Sequence, residues 1–261
     1  MQFAEASDRE RQLACLREAL RRDEFELYSQ PIVALDERTG WQMAEVLIRL
    51  RQEEKALLPP GEFLPAFELF GMMPQLDCWV LRNVVQRHLV GRSERRFSIN
   101  VSGQTLEYGA FVRLFAELID STGVPAESVL FEIEESDILV RPQAAERFAH
   151  AIHAVGGGII IDGFGGRSLS FTPLKALRPE YLKVDGAITR RIADDESCVL
   201  KCKSIRRLGE TLGIGIIAEC VETPDALARL KAIGVALAQG YGICRPQPIE
   251  GLLPLQELAA A

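Results

Sequence analysis

Eight short apolar runs recur along the chain, and stretches with a different periodicity separate most of them. Runs of five to nine residues bounded by polar or glycine residues are typical of buried β-strands. The pattern therefore predicts eight strands. They are FELYSQPIV (25–33), MAEVLIRL (43–50), RFSINVS (96–102), VLFEIEES (129–136), GIIID (158–162), YLKVDG (181–186), IGIIAECV (214–221) and ALAQGYGI (236–243).

The intervening stretches place apolar residues three and four positions apart, which is the spacing of an amphipathic helix. Residues 107–120 follow this spacing from Phe111 to Leu118, and residues 196–212 and 223–233 do the same. Strands that alternate with helices over roughly 250 residues are typical of a (β/α)8 barrel. We therefore predict an α/β protein with a modified TIM (β/α)8 barrel.

A further helical pattern precedes the first run and places Leu13, Leu16 and Leu20 on one face. We expect residues 1–23 to form an N-terminal helix or linker, which either covers the barrel or belongs to an upstream domain. Residues 24–261 are then the barrel itself.

The connection between the first two predicted strands is too short for a regular barrel. The segment ALDERTGWQM joins them with about ten residues and contains a turn-like DERTG. A parallel crossover needs roughly a dozen residues or more. The first strand pair is therefore predicted to be antiparallel.

Each apolar run carries a polar residue of interest, inside it or at its end. The interior of such a barrel is normally filled by Val, Ile and Leu, and the active site lies where the strands end. A single polar residue is often only a satisfied hydrogen bond, but eight in sequence favour a functional site. They are Gln30, Glu45, Asn100, Glu132, Asp162, Lys183, Glu219 and Gln239.

Four of these residues are oxygen donors of the kind that Mg²⁺ or Mn²⁺ prefers, namely Glu45, Asn100, Glu132 and Asp162. Converging carboxylates repel one another unless a metal ion or Lys183 neutralises them. Oxygen-ligated metals at a barrel mouth favour phosphate ester chemistry, in which they clamp the phosphoryl oxygens and activate water. The histidines fall in helical stretches, where a surface or packing role is expected. They are His88, His150 and His153.

Composition and net charge narrow the possible ligands and the cellular location of the protein. The chain has 261 residues, 48% hydrophobic and 26% charged, and a net charge of −7. An acidic surface disfavours binding to a nucleic acid polymer, although metal ions still allow a phosphate ligand. Because the N-terminus is charged and apolar runs are short, we expect a cytoplasmic domain or the cytoplasmic part of a larger, membrane-associated protein.

With these residues in place, the sequence resembles the EAL domain family, which binds and usually hydrolyses cyclic di-GMP. The resemblance extends from about residue 10 to residue 250. Its segments, in chain order, are YSQPIV, EVLIR, FLPAFELFGMMPQLDCWVL, INVS, FEIEES, IDGFGG, LKVDG, AECVE and QGYGICRPQP.

The resemblance implies a two-metal phosphodiesterase that linearises cyclic di-GMP to pGpG. Glu45, Asn100, Glu132 and Asp162 would be the metal ligands. Lys183 and Glu219 would act around the attacking water, and Gln239 would stand near the metal. The remaining implied contacts are Arg49 with a ligand phosphate, Gln30, Asp77 and Pro246 with the guanines, and Glu222 with the loop after Asp162.

The sequence departs from the family pattern at the second metal position. Active members carry two adjacent aspartates, whereas here Asp162 is followed by Gly163, and the next loop reads GGRSLS (165–170). Ala236 replaces a common aspartate. Glu134 replaces a threonine and, because strand side chains alternate, shares the face of Glu132, so it could add a carboxylate to the metal region.

Three functions therefore stay open. The first is a degenerate domain that binds cyclic di-GMP as a receptor with weak or no hydrolysis. The second is an active Mg²⁺- or Mn²⁺-dependent phosphodiesterase, and the third is a protein-interaction module without nucleotide. The resemblance also implies an upstream GGDEF or sensor domain, a protein effector and a homodimer as partners.

Overall fold

The computed structural model describes residues 2–35, 41–52, 56–92, 94–166 and 172–252, and its strands form one sheet. The strands are β1 (Phe25–Ala34), β2 (Trp41–Gln52), β3 (Ala56–Leu58), β4 (Phe97–Val101), β5 (Val129–Glu134), β6 (Gly158–Phe164), β7 (Tyr181–Val184), β8 (Gly215–Ala218), β9 (Leu237–Ala238) and β10 (Gln247–Pro248).

Eight of these strands close into a barrel in the order β1-β9-β8-β7-β6-β5-β4-β2, with β2 pairing back onto β1. They correspond one to one to the eight predicted apolar runs, so the predicted barrel is confirmed. The two short strands β3 and β10 add to the outer edges of β2 and β1.

The first strand runs against its neighbours. It pairs antiparallel with both β2 and β9, and the other barrel pairs are parallel. The predicted antiparallel start is therefore confirmed. The register sets Gln30 opposite Glu45, so the reversed strand still brings a polar residue to the level at which the parallel strands end.

Helices pack around the barrel and confirm the periodic stretches to within a few residues. The helices are α1 (Gln2–Arg21), α2 (Pro60–Leu69), α3 (Met73–Asn83), α4 (Gly109–Thr122), α5 (Glu135–Val140), α6 (Pro142–Val155), α7 (Thr172–Leu177), α8 (Gly186–Thr189), α9 (Glu196–Leu212) and α10 (Pro224–Ile233). A π-helical turn, Val84–Leu89, continues α3. No helix in the described ranges is long and apolar enough to span a membrane.

The N-terminal helix α1 packs on the barrel through the predicted face of Leu13, Leu16 and Leu20. Its link to β1 contains Asp23, which has a left-handed φ of 57°. The carboxylate of Asp23 accepts hydrogen bonds from Trp79 Nε1 at 2.6 Å and Arg87 Nη2 at 2.8 Å. These bonds offset an unfavourable backbone conformation and fix the helix end against α3.

The main core lies between the barrel and its helices, and a second apolar layer fills the barrel interior. Ring contacts at 5.0–6.1 Å join Phe131 of β5 to Phe111 and Phe115 of α4 and to Phe148 of α6. The inner layer consists of Ile32, Met43, Leu130, Ile160, Ile217 and Leu237. This layer closes the barrel below the polar residues.

Replacing Phe131 by alanine should lower the free energy of unfolding by about 3–5 kcal/mol, because its ring is fully buried among three others. Urea denaturation followed by circular dichroism measures this change. The matched control is Leu200→Ala on α9, whose side chain is 58% exposed and whose loss should cost less than about 0.5 kcal/mol. Equal losses for both variants would contradict the assignment of the core.

Candidate functional site

The predicted polar residues share one level of the barrel. Side chains alternate along a strand, and most of the eight stand two residues from a member of the inner apolar layer. For example, Glu45 is two residues from Met43, and Glu132 is two residues from Leu130. The same alternation that places apolar side chains inside the lower barrel therefore places these polar side chains inside the next level, where they form a polar ring.

Lys183 lies at the centre of this ring. Its Nζ donates to Glu45 Oε2 at 2.8 Å and to Glu132 Oε2 at 2.6 Å. The lysine side chain is only 1% exposed. Burying an ammonium is costly unless it is paired, and here it links the strands β2 and β5 across the barrel from β7.

Glu45 also receives amide donors. Asn100 Nδ2 donates to its Oε1 at 2.8 Å, and Gln239 Nε2 donates to its Oε2 at 2.7 Å. Gln239 Nε2 donates in addition to Gln30 Oε1 at 3.0 Å, and Gln30 Nε2 donates to the backbone carbonyl of Cys244 at 2.8 Å. Gln30 thus holds the amide of Gln239 in the orientation that presents a donor to Glu45.

The carboxylates of the ring differ in pKa because they receive different numbers of hydrogen-bond donors. Burial favours the neutral form of Glu45, but Lys183, Asn100 and Gln239 hold its pKa below the ordinary value. Burial raises the pKa of Glu132 to about 8, and the charge of Glu45 adds to the rise. Burial would lower the pKa of Lys183, but the surrounding carboxylates raise it well above its ordinary value. Lys183 therefore stays protonated, and Glu45 is the carboxylate whose donors favour its charged form.

Asp162 and Glu219 complete the carboxylate set and depend on backbone donors. Asp162 Oδ1 accepts from the N–H of Gly163 at 2.8 Å, and Glu219 Oε1 accepts from the N–H of Gly186 at 2.7 Å. Burial raises the pKa of both groups, that of Glu219 to about 7, with the charge of Asp162 adding to it. Within the described residues, neither carboxylate accepts a hydrogen bond from a cationic side chain.

Gly163 sits at an irregularity in the barrel. The β6–β7 register shifts between Ile161 and Phe164, and Gly163 has a φ of 66°. A bulge residue in the left-handed region is most easily glycine. A Cβ built at this position lies 4.0 Å from both Asp185 Oδ2 and Glu134 Cγ, so a larger side chain has room there. Of the divergent loop 165–170, residues 167–170 lie outside the described residues.

A cavity of about 400 Å³ opens beside the ring. One wall is polar, with Asn100, Glu132 and Asp162, and the opposite wall is apolar. The apolar lining comes from β2, α2 and α3 and includes Val46, Ile48, Leu64, Met73, Leu76 and Val80. Concave sites of this size with a few convergent polar groups are typical of ligand pockets.

Asp77 of α3 lines the same cavity and is 5% exposed. Its Oδ2 accepts from the N–H and Oγ of Ser102, at 3.1 and 2.8 Å, and from Thr105 Oγ1 at 2.6 Å. Burial raises the pKa of Asp77 to about 6. The carboxylate is thus held rigidly at the cavity wall. Within the described residues, its other oxygen, Oδ1, accepts no hydrogen bond.

The remaining predicted contacts lie around the mouth. Arg49 stacks over the ring of Tyr28, at 5.3 Å from the centroid, and its Nη1 donates to the carbonyl of Ile48. Glu222 accepts from Arg190 Nε at 3.3 Å in an exposed pair. Pro246 is half-buried directly before β10.

Sequence reasoning missed the residues that position the site from a distance. Ser102 and Thr105 hold Asp77, and Asp185 places a carboxylate near position 163 and close to Gly166. The three-residue spacing of Ser102 and Thr105 after a strand is a usable signal for a turn cap. The sequence around Ser102 and Thr105 does not indicate that the carboxylate they bind, that of Asp77, lies on α3.

The donor set fits a hard divalent cation. Four carboxylates face one lysine, and among the described residues the buried Oε1 of Glu132 has no hydrogen-bond partner. Such an orphaned acceptor favours a cation or a proton. In the described part of the chain, no three His, Cys, Asp or Glu side chains are already gathered around one metal position. The carboxylates must therefore shift relative to Lys183 before they share a metal ion.

Comparison with known proteins identifies the relatives of this barrel. The family model of the EAL domain matches residues 14–246. The cyclic di-GMP phosphodiesterase PdeB of Shewanella oneidensis is 31% identical over 235 residues, which are 89% of this chain and 28% of that protein. The chain spans about a third of the length of the first curated phosphodiesterases it matches.

Solved structures have the same architecture. The structure titled PaMucR phosphodiesterase, c-di-GMP complex, is 29% identical, with a TM-score of 0.85 over 93% of this chain and 100% of that one. The FimX EAL domain of Xanthomonas citri, solved with c-di-GMP, gives a TM-score of 0.86 at 24% identity over 96% and 98% of the chains. The chain belongs to the EAL domain family.

Proposed function

We propose that this domain binds cyclic di-GMP as a signalling receptor and hydrolyses it weakly or not at all. The proposal rests on glycine at position 163, which lies beside the carboxylate ring and the cavity. The other predicted polar residues of the ring are present. Binding depends on the cavity and its polar contacts. Hydrolysis depends in addition on carboxylates at position 163 and around it.

The cavity supports the choice of ligand. The Oδ1 of Asp77, which accepts no hydrogen bond from the described residues, suits the N–H edge of a guanine, because a buried carboxylate accepts such donors well. The apolar wall suits the base faces, and Arg49 at the mouth suits a phosphate. Gln30 and Pro246 lie at the same end of the barrel. The similarity to a phosphodiesterase solved with c-di-GMP supports the same assignment.

The metal-binding part of the mechanism involves Glu45, Asn100, Glu132 and Asp162. A divalent ion, Mg²⁺ or Mn²⁺, supplies Lewis-acid polarisation of the phosphoryl oxygens when bound. Lys183 remains protonated and stabilises negative charge that develops on the phosphate. Glu219, with its pKa raised to about 7, exchanges a proton with water near neutral pH, and Gln239 orients Glu45.

Glycine at 163 is expected to weaken hydrolysis more than binding. The bulge accommodates a side chain there, but glycine contributes no oxygen to a second cation. Asp185 and Glu134 both lie near the position, and within the described residues no hydrogen bond from the ring directs either side chain toward it. A lost charge-stabilising group commonly lowers a rate by two to three orders of magnitude.

Active phosphodiesterase is the second candidate function. It is favoured because hydrogen bonds connect Asn100, Glu45, Lys183 and Glu132, with Asp162 and Glu219 beside them. Glu134 and Asp185 supply carboxylates near position 163, so a loosely held second metal ion is chemically reasonable. Relatives at 29–31% identity are named cyclic di-GMP phosphodiesterases.

The setting of the domain is also part of the proposal. The relatives are about three times longer, so an upstream GGDEF or sensor domain linked through α1 is a reasonable partner. A protein effector that reads ligand occupancy and a homodimer are the further proposed partners. We place this machinery in the cytoplasm, without a nucleic acid polymer as a ligand.

Calorimetry should detect cyclic di-GMP binding at a micromolar dissociation constant or tighter, with and without Mg²⁺ or Mn²⁺. Chromatography of the same samples should detect little or no pGpG after long incubation. The control is Asp77→Asn, which keeps the shape of the side chain but removes the anionic acceptor and should weaken binding by roughly tenfold. Rapid turnover that is lost in Glu45→Ala would establish the phosphodiesterase instead. Absence of binding in both conditions would leave only a protein-interaction module.

Gly163→Asp should raise the hydrolysis rate by roughly tenfold or more, which corresponds to about 1.4 kcal/mol of added transition-state stabilisation. Because φ is 66° at this position, the substitution should also cost about 1 kcal/mol of folding stability. Gly163→Asn is the matched control, since it carries the same shape and backbone strain without the carboxylate. If neither variant gains activity, the loop 165–170 and not position 163 limits hydrolysis.

A further inference from the structure

A second concave site lies on the outer surface of the barrel, between α6 and α7. Its volume is about 660 Å³, larger than the cavity at the barrel mouth. None of its residues belongs to the polar ring. The lining consists of Glu146, Arg147, His150, His153, Ala154, Lys175, Ala176 and Arg178.

The charge of this cleft is opposite to that of the chain. The net charge of the protein is −7, yet three permanent cations, Arg147, Lys175 and Arg178, line the cleft with Glu146 as its one carboxylate. Within the described residues, no ion pair or hydrogen bond engages the side chains of these three cations. Several arginines elsewhere are paired locally, as in Arg191 with Asp195. Unpaired like charges that converge on a concave surface favour an anionic ligand.

Helix dipoles do not account for the cluster. Cations are common in the last turn of a helix because they stabilise its C-terminal carbonyls, and Lys175 and His153 fit that explanation. Arg147 does not, since it lies in the middle of α6, more than two turns before the cap Gly156. Arg178 lies beyond α7 and has a left-handed φ of 47°, an unfavourable conformation for this residue.

The cleft is held by a rigid frame. The opposite face of α6 buries Phe148 and Ile152 in the core, and Leu174 and Leu177 do the same for α7. The cations therefore stand on helices whose positions are fixed by packing, which lowers the entropy lost when a ligand binds.

We propose that this cleft binds a phosphate-bearing anion of nucleotide size, separate from the cyclic di-GMP site. Arginine side chains bind phosphate oxygens in a bidentate manner, and lysine adds a point charge. The volume lies within the range of pockets that enclose small organic ligands. The imidazole of His150 provides a planar face and N–H donors for a base or sugar, whereas Nε2 of His153 faces the carboxylate of Glu180 at 3.3 Å. The site does not depend on the proposed function of the barrel mouth.

Metal-free protein should be titrated with inorganic pyrophosphate, GTP and ATP at low ionic strength. The test variant is Arg147→Gln/Lys175→Gln/Arg178→Gln. The matched control is Lys201→Gln/Lys203→Gln/Arg207→Gln on α9, which removes the same number of positive charges from side chains that are also exposed and, within the described residues, unpaired. We expect submillimolar binding by wild type and the control, and a loss of roughly tenfold or more in the test variant. Thermal melting confirms that both variants are folded.

The pattern of losses distinguishes this site from the barrel mouth. Weakening that is confined to the test variant, and tighter binding of a nucleotide than of pyrophosphate, support the proposal. Equal weakening in the control indicates general electrostatic attraction and overturns it. The proposal also fails if no probe binds below about 1 mM, or if pyrophosphate binds and the nucleotides do not. Cyclic di-GMP affinity is unaffected in either case, so failure here leaves the function of the mouth untouched.

Discussion

The ion pair network of Lys183 is the constraint on which the barrel mouth depends. One buried ammonium bonds to Glu45 and Glu132 and faces Asp162, and these groups come from β2, β5, β6 and β7. Removing charges from water is expensive, and an incomplete pair in the interior is strongly destabilising. The ring is therefore stable only while some cation holds the carboxylates, and in the metal-free chain that cation is Lys183.

This constraint connects the missing aspartate to the proposed receptor role. Every additional carboxylate at the mouth raises the demand for a second cation, since like charges in a buried site repel. Glycine at 163 removes one such charge. The ring that remains can be balanced by Lys183 together with protonation of Glu132, whose pKa is raised to about 8. A site whose carboxylate charges are balanced without a metal ion is better suited to ligand binding than to metal-assisted hydrolysis.

The sequence predicted the barrel and its ring because both follow from local patterns. Period-two alternation places Glu132 and Asp162 on the inner face, and a short connection forces β1 to run against β2. What could not be predicted depends on contacts distant in sequence. Gln30 and Gln239 are 209 residues apart, and Asp77 meets Ser102 only after α3 packs on β4. The basic cleft could not be predicted for the same reason, since Arg147 of α6 and Lys175 of α7 line one cleft only after the two helices pack side by side.

We expect Lys183 and a divalent cation to compete for the same carboxylates. Thermal melting of Lys183→Met with and without Mn²⁺ tests this competition most directly. Without metal, the variant should be less stable than wild type by about 3–5 kcal/mol, because two buried carboxylates lose their partner. Mn²⁺ should then restore stability and bind the variant more tightly than wild type, by mass action on the folded state. A variant as stable as wild type without metal, or one whose Mn²⁺ affinity is unchanged, would contradict this account.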